Sequence, residues 1–538
     1  MFDLVIRNGK IVDGTGGPWF KADLSCKDGV IAQINNLAEA QAKNEVDAAG
    51  KIVTPGFIDA HSHTDFIAAV INNSDSRIHQ GVTTEIVGMC GRTPAPVASD
   101  KLDHLKNHLA PFIPKQVEYN WHWQSTGDWL DIIDKQGHST ELGIFAGHGT
   151  IRLAVMGFEN RTPTASEMAR MKTLLKEAMD NGALGMSSGL IYPPGIYTSK
   201  EELVELCKVT AAGNGIYATH LRNEGNELIE AVREALEIGR LSGCPVHISH
   251  HKASGKNNFG KVNTTLNLME EARSDGIDVT CDLYPYLAGS TLISALLPAW
   301  VHEGGVEQMI ERASDSSSRK RIANELEKEA TGWENLVKGA GWNHILICSS
   351  PSNTGFEGKT IGKCAREEGI PAVELMLDLI ISDQGQTTIA LFMLNEDNLK
   401  TVLTHRLSMI GSDGFGASYT GVLARGKPHP RAFGTFPKVL GKYVREEGVL
   451  TLEEAVWKMT GFPAQRFGLF DRGVLRPGAK ADLVIFDSDL IIDQADFKNP
   501  YQKPKGIDSV YINSKPVVNK GIYSGDTFGR SIRKNKTN

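Results

Sequence analysis

The sequence lacks the features of a membrane or secreted protein. Its 538 residues contain no apolar run long enough to span a bilayer. The amino-terminal residues have neither the basic segment nor the long apolar core of a signal peptide. The seven cysteines are scattered, odd in number and without CxxC spacing, so they do not predict a disulfide framework. We therefore expect reduced thiols and a cytoplasmic location.

A strong charge of either sign is also absent. Lysine and arginine number 57 against 64 acidic residues, which gives a formal net charge of −7. With 41% hydrophobic and 22% charged residues, the composition is that of an ordinary globular protein. This balance gives no reason to expect a nucleic acid or an anionic membrane as a partner.

Apolar runs of strand length follow residue 56 and alternate with helical patterns. Continuous apolar strands separated by helices are typical of a parallel sheet that is buried on both faces. Eight such strands are the number that a (β/α)8 barrel needs. Two further runs, 344–350 and 388–394, leave the count ambiguous. The eight candidates are 56–61, 83–91, 141–150, 183–190, 215–222, 244–252, 277–286 and 407–414.

The two ends of the chain have a different sequence pattern from its middle. Short strand patterns with turn signals between them occupy residues 1–55 and return after residue 468. We expect 1–55 and 468–538 to form one small β-sandwich with a tail, and 56–467 to form the α/β barrel. A polar helical segment near 295–342 precedes the eighth strand, which predicts a lid inserted at the carboxyl face of the barrel.

Two histidines stand at the end of the first barrel run, in GFIDAHSHTD. Successive side chains of a strand point to opposite faces, so His61 and His63 project the same way. Two neutral imidazoles side by side suit a divalent metal of the zinc type. An exposed loop that happens to contain two histidines is about as common as a metal site. The residues at the ends of the other strands must distinguish these two interpretations.

Metal-binding and proton-transferring side chains also end four further strands. In a barrel, the carboxyl ends of all strands meet at one mouth, where the active sites of such enzymes lie. Taken singly, each of these residues is more often structural, and a lone cysteine is usually a small buried apolar residue. Six of them at strand ends of one candidate barrel favour a metal site. They are His61, His63, Cys90, His220, His250 and Asp413.

Longer motifs resemble the amidohydrolase superfamily. They are TPGFIDAHSH, THLRNE, HISHHK and GSDG, with DLVIRNGKIVDG near the amino end and GAKADLVIFD near the carboxyl end. Within that superfamily, GMCG, SHHKASG, DLYPYLAGST and HPRAFGTFP resemble the D-aminoacylases, or N-acyl-D-amino-acid deacylases. The resemblance extends nearly from end to end. It implies a TIM-like metal-dependent hydrolase barrel that cleaves N-acyl-D-amino acids to a carboxylate and a free D-amino acid.

The resemblance also implies a set of metal ligands. Cys90, His220 and His250 would hold one tightly bound Zn²⁺, with the cysteine as a thiolate. His61 and His63 would complete a second, weaker site that Cys90 bridges. Many relatives bridge two metals with a carboxylated lysine from the fourth strand. The fourth run here, ALGMSSGL, contains no lysine, which agrees with a bridging cysteine.

The same resemblance assigns a base and a carboxylate anchor. Asp413 would take a proton from water and deliver it to the leaving amine. Arg431 in HPRAFGTFP suits bidentate pairing with a substrate carboxylate, and the resemblance adds Lys252, Tyr284 and Ser290 as its companions. The stretch between Asp413 and Arg431 looks longer than is usual in the family.

Two other functions remain open. A cyclic-amide hydrolase of the dihydroorotase or hydantoinase type shares the paired histidines and the late aspartate, but it should carry the bridging lysine. A catalytically inactive scaffold should have lost Asp413 or the metal histidines, and none is missing. We therefore expect a zinc-dependent hydrolase of linear amides with a small-molecule substrate. The preference for D substrates comes from the resemblance alone, and the sequence indicates neither the preferred side chain nor the oligomeric state.

Overall fold

Eight parallel strands, here numbered β1 to β8, follow one another around a barrel. The structure is a computed structural model that describes residues 1–330 and 332–534. Each strand pairs in parallel with the next. The eight strands are β1 Phe57–Asp59, β2 Val82–Val87, β3 Glu141–Ile144 with its continuation Ala146–Gly147, β4 Gly185–Gly189, β5 Ile216–His220, β6 Val246–Ile248, β7 Val279–Leu283 and β8 Ser408–Ile410. Seven strands lie within the runs that the sequence predicts, and β2 begins one residue before its run.

The barrel closes between β8 and β1. On one side β8 pairs with β7, and on the other the amide of Ala60 donates to the carbonyl of Ile410 at 3.2 Å. Just beyond the strands, the amide of Asp413 donates to the carbonyl of His61 at 2.8 Å. The closure therefore places the ends of the first and last strands side by side.

Helices cover the outside of the barrel. The helix Ala165–Asp180 shows why they form: Thr164 and Glu167 make a capping box at its start, and Met171 and Leu175 are fully buried in the main core. The helix Arg431–Lys438 continues into a π-helical segment, Val439–Glu446. The remaining helices around the barrel are Asp65–Ala68, Asp75–Ile78, Leu102–Leu109, Thr126–Gln136, His148–Met156, Lys200–Ala212, Leu228–Ser242, Lys261–Ser274, Glu396–Thr404, Leu452–Met459 and Gly461–Phe467.

Both ends of the chain build one nine-stranded sheet, which confirms the predicted β domain. Strand Ile52–Pro55 joins the two ends, because it pairs in parallel with Phe2–Ile11 and antiparallel with Leu483–Phe486. The other strands of this sheet are Phe20–Lys27, Val30–Asn35, Ala42–Asp47, Ile507–Ile512, Lys515–Asn519 and Ile522–Tyr523. A last short strand, Ser531–Ile532, pairs instead with β3. No helix among the described residues is both long and apolar enough to cross a bilayer.

The chain between β7 and β8 contains a separate folded unit, here called the insertion. Its antiparallel sheet has the strand order Gly289–Leu292, Thr388–Leu391, Ile345–Ser349, so the two ambiguous runs belong to this sheet and not to the barrel. The helices of the insertion pack on this sheet around a core of their own, so the folded unit extends beyond the lid segment expected near 295–342. These helices are Val306–Ser314, Ser316–Leu326, Leu336–Ala340, Ile361–Glu368 and Ala372–Ser382.

Candidate active site

Three imidazole rings surround the thiol of Cys90 at the barrel mouth. Its Sγ lies 3.4 Å from Nε2 of His61, 3.5 Å from Nε2 of His250 and 3.8 Å from Nδ1 of His220. All four side chains are buried. They stand at the ends of β1, β2, β5 and β6, which the barrel brings together although they are far apart in the sequence.

Asp413 and His63 complete this cluster. Oδ1 of Asp413 lies 3.2 Å from Nε2 of His63 and 3.5 Å from Nε2 of His61. Its other oxygen, Oδ2, lies 2.6 Å from Nη1 of Arg431. The six strand-end residues singled out in the sequence therefore meet in one place, and we refer to them as the histidine–cysteine cluster.

The donor set of the cluster fits a metal ion of the zinc type. A tetrahedral Zn²⁺ with ordinary bond lengths separates a sulfur and a nitrogen ligand by about 3.6 Å. The distances from Sγ of Cys90 to the three rings, 3.4 to 3.8 Å, span that value. In addition, Nδ1 of His63 and Nε2 of His220 are buried without a hydrogen-bond partner among the described residues. Two ring nitrogens of the cluster therefore have no hydrogen bond within the described part of the protein.

Glu224 is a member of the site that the sequence reasoning missed. Its Oε1 accepts a hydrogen bond from Nζ of Lys252 at 2.6 Å and lies 3.0 Å from Nδ1 of His250. Its Oε2 lies 3.9 Å from Nε2 of His220, close enough for these residues to form a second possible metal-holding group. The available signal was its position, four residues after His220 in THLRNE.

The electrostatics of the cluster favour anionic forms of two groups. Burial by itself would raise the pKa of the Cys90 thiol, but the neighbouring charges of His61 and His250 outweigh it and hold that pKa well below its usual value. Burial would likewise raise the pKa of Asp413, but the charges of Arg431 and His250 and the hydrogen bond with His63 together outweigh it and hold that pKa well below its usual value. A thiolate and a carboxylate therefore face the cavity at neutral pH.

One acidic side chain below the cluster orients the ring of His61. Asp282, from β7, is fully buried, and its Oδ2 lies 3.2 Å from Nδ1 of His61 and 2.8 Å from Nε2 of His247. A carboxylate on the far nitrogen fixes the tautomer and the direction of an imidazole ligand. The sequence reasoning did not single out Asp282, because an aspartate inside an apolar run carries no sign of the ring that it touches.

The four expected substrate contacts line one cavity of about 670 Å³, together with every member of the cluster except His61. The guanidinium of Arg431 lies 4.8 Å from the centre of the Tyr284 ring, and its Nη2 donates to the carbonyl of Ser290 at 3.3 Å. Nζ of Lys252 lies 5.7 Å from the same ring. The long stretch that precedes Arg431 in the sequence does not carry it away from Asp413.

The insertion forms one wall of this cavity. Leu336, Leu391 and Met393 line the cavity beside the cluster, and the carboxylate of Glu334 accepts a hydrogen bond from the amide of Glu224 at 3.0 Å. The insertion therefore touches both the cavity and the loop that follows β5.

Comparisons with known proteins agree with this geometry. The sequence model of the amidohydrolase family matches residues 44–518. The chain belongs to the amidohydrolase family. The D-aminoacylase of Alcaligenes xylosoxydans xylosoxydans is 36% identical over 531 residues, which cover 99% of this chain and 97% of that protein. This similarity places the chain among the D-aminoacylases and N-acyl-D-amino-acid deacylases.

Two solved structures of this group share the fold. One, a D-aminoacylase studied for its binuclear metal center, has a TM-score of 0.82 and 33% identity, and covers 99% of this chain and 100% of its own. The other, an N-acyl-D-glutamate deacylase from Bordetella bronchiseptica complexed with zinc and a phosphonate inhibitor, has a TM-score of 0.82 and 32% identity and covers 99% of each chain. These matches confirm the predicted α/β barrel with its β domain.

The low pKa of Cys90 leads to a testable difference in thiol reactivity. In the metal-free protein, we expect Cys90 to react with iodoacetamide at a nearly constant rate between about pH 9 and about pH 6, because the thiolate persists. Alkylation of each cysteine-containing peptide is followed by mass spectrometry. Cys207 and Cys281, whose pKa burial raises, are the internal controls. A loss of about tenfold per pH unit, as expected for an ordinary thiol with a pKa of about 8.5, would contradict the thiolate.

Proposed function

We propose that this protein is a zinc-dependent hydrolase that cleaves the amide bond of N-acyl-D-amino acids and releases a carboxylate and a free D-amino acid. The observation that carries the proposal is the histidine–cysteine cluster beside the ionised pair of Asp413 and Arg431. The preference for D substrates is supported by the 36% identity to a D-aminoacylase over nearly the whole chain.

We assign the metal ligands to two groups that share Cys90. The sulfur of Cys90 and ring nitrogens of His220 and His250 would hold one Zn²⁺ tightly, and His61 and His63 would complete a weaker second site. Bound there, zinc supplies a Lewis acid that polarises the amide carbonyl and lowers the pKa of water. Strand β4 has the sequence GMSSG and so lacks a bridging lysine, which supports the shared cysteine.

Asp413 is the general base of the proposed reaction. Its carboxylate is ionised at neutral pH, because Arg431 and the neighbouring histidines together outweigh the effect of burial on its pKa. Oδ2 is engaged by Arg431, whereas Oδ1 faces His61 and His63 at the cluster. Oδ1 is therefore the atom that accepts a proton from the attacking water and then passes it to the leaving amine.

Arg431 also serves as the anchor for the α-carboxylate of the substrate. A guanidinium has five N–H donors, and the described contacts engage one nitrogen with Asp413 and another with Ser290. Further donors are thus left for a ligand in the cavity, where Lys252 and Tyr284 add a second cation and a hydroxyl. Arg431 would thus bind the substrate carboxylate and the general base Asp413 at the same time.

The remaining assignments follow from the architecture. We assign residues 56–467 to the catalytic barrel, 1–55 and 468–538 to the β domain and its tail, and the segment around 295–342, which is part of the insertion, to a lid that excludes water from bound substrate. All seven cysteines are buried and free, which suits a reducing compartment, so we propose a cytoplasmic enzyme with a small-molecule substrate and no nucleic-acid partner.

The proposed activity predicts a preference in a panel of N-acetyl-D- and N-acetyl-L-amino acids. The D enantiomers should be hydrolysed, and the L enantiomers should react slower by on the order of 10²-fold, the effect of misplacing the scissile amide by about 1 Å. Released amine is measured, with chelator-treated protein as the control. Hydantoin and dihydrouracil are included, since turnover of cyclic amides without turnover of linear ones would contradict the proposal.

The ligand assignment predicts which variants lose zinc. The purified protein should retain about one zinc ion per chain, the content of a catalytic site with three protein ligands. Cys90→Ser and His220→Ala should lose it, whereas His63→Ala should retain it, because His63 serves only the weaker site. The zinc content of each purified protein is measured by inductively coupled plasma mass spectrometry. His148→Ala is the matched control, because His148 is buried outside the cluster and bonds to Glu202. Zinc retention in Cys90→Ser would refute the assignment.

The role of Asp413 predicts a loss of turnover without a loss of metal. Asp413→Asn should lower kcat by about 10²- to 10⁴-fold, because the amide cannot accept the proton from water. Zinc content and melting temperature are measured alongside. Asp383→Asn changes a buried carboxylate that does not line the cavity and should keep most of the activity. If Asp413→Asn turned over at nearly the wild-type rate, another group would have to be the base.

A further inference from the structure

Arg92 differs from every other buried arginine among the described residues. Each of the others pairs with an aspartate or a glutamate. No described carboxylate oxygen lies within 4.0 Å of the Arg92 guanidinium, and its shielded Nε has no hydrogen-bond acceptor. The six buried arginines are Arg77, Arg92, Arg152, Arg431, Arg466 and Arg472.

Aromatic rings hold this unpaired cation in place. Cζ of Arg92 lies 4.3 Å from the centre of the Tyr192 ring and 5.6 Å from that of Phe112. Tyr192 is fixed in turn, because its hydroxyl accepts a hydrogen bond from the hydroxyl of Thr291 at 3.1 Å. Arg92 is only 9% exposed, and burying a charge without a partner is costly. A stacked guanidinium with free donors is the form of arginine that binds carboxylates.

The position of Arg92 points it at substrate. It lies two residues beyond Cys90 and lines the same cavity as the histidine–cysteine cluster and Arg431. Arg431 donates to the carbonyl of Ser290, and the next residue of that strand, Thr291, holds the ring under Arg92. Two guanidinium groups thus border one cavity, and only one of them is paired within the protein.

A second cavity, of about 580 Å³, also borders Arg92. Its lining includes the insertion residue His302 and the barrel residue His108, and it contains no aspartate or glutamate. Nε2 of His108 is buried and has no hydrogen-bond partner among the described residues. The space next to Arg92 therefore combines a free cation, an unpaired polar nitrogen and no competing acid, which suits an anionic group.

We propose that Arg92 binds a second carboxylate of the substrate, carried either by the side chain of the D-amino acid or by the acyl group. The inference rests on the proposed function, in which Arg431 binds the α-carboxylate. The two cations would then hold the two carboxylates of one substrate with its amide at the cluster. The enzyme would prefer N-acyl-D-amino acids with two carboxylates to those with one.

The test compares acids with their neutral amides. N-acetyl-D-glutamate and N-acetyl-D-glutamine form one pair, and N-succinyl-D-leucine and N-succinamoyl-D-leucine form the other. Arg92→Met should lower kcat/KM for the acid of one pair by about 30-fold or more, the usual effect of breaking a buried charge pair, while both amides change little. The pair that responds identifies the part of the substrate that carries the second carboxylate.

Two further variants serve as controls. Arg92→Lys keeps the charge without the planar fork and should retain part of the preference for the acid. Arg431→Ala should lower kcat/KM for acid and amide alike, because both carry the α-carboxylate. The melting temperature of Arg92→Met should not fall, since the replaced cation has no carboxylate partner in the protein and methionine still packs against the rings of Tyr192 and Phe112. A lower melting temperature, with equal losses on acid and amide, would overturn the inference.

Binding measurements separate this inference from the proposed function. The same ligands are titrated calorimetrically into Asp413→Asn, with and without Arg92→Met, so that affinity is measured without turnover. If wild type hydrolyses neither these four substrates nor any N-acetyl-D-amino acid of the panel, the proposed function fails; selective loss of affinity for one acid would still support the role of Arg92. Equal affinities for acid and amide, unchanged by Arg92→Met, would overturn it.

Discussion

The placement of the reactive side chains depends on the closure of the barrel between β8 and β1. Below the mouth, Asp59 of β1 accepts hydrogen bonds from the amide and the hydroxyl of Ser412 at 2.7 and 2.5 Å. Asp59 also pairs with the buried Arg77 at 3.1 Å. Because these groups are buried, water cannot replace a lost partner, so that any other pairing of β8 with β1 would cost free energy. It fixes the distance between His61 and Asp413, and so the position of the base relative to the metal ligands.

The cluster brings three acidic groups together in a buried region. Cys90, Asp413 and Glu224 are anionic there, because nearby cations and hydrogen bonds outweigh the effect of burial on their pKa. Lys252 and Arg431 neutralise part of this charge. In the metal-free protein, the protonated rings of His61 and His250 balance the rest. A divalent cation would take the place of those two ring protons, and its binding free energy would add to the stability of the folded state.

The sequence predicts those parts of the molecule that are encoded locally. The eight barrel strands follow from apolar runs, and the position of His220 or Asp413 follows from the place where a run ends. The strands at 344–350 and 388–394 have the same local pattern, and only their antiparallel partners assign them to the insertion. Arg92 could not be singled out, because what sets it apart is a missing partner, which depends on every side chain around it.

The structure separates the chemistry of the site from its selectivity. The barrel strands carry the cluster and the base, whereas strand Gly289–Leu292 of the insertion contacts Arg431 directly and reaches Arg92 through the side chain of Tyr192. The carbonyl of Ser290 accepts a hydrogen bond from Arg431, and the hydroxyl of Thr291 donates one to the hydroxyl of Tyr192, whose ring lies against Arg92. This strand is held by the sheet of the insertion and not by the barrel. Changes in the insertion can therefore move Arg92 and Arg431 without disturbing the proposed metal ligands. Substrate preference in this protein would therefore change through the insertion, while the barrel keeps the reaction constant.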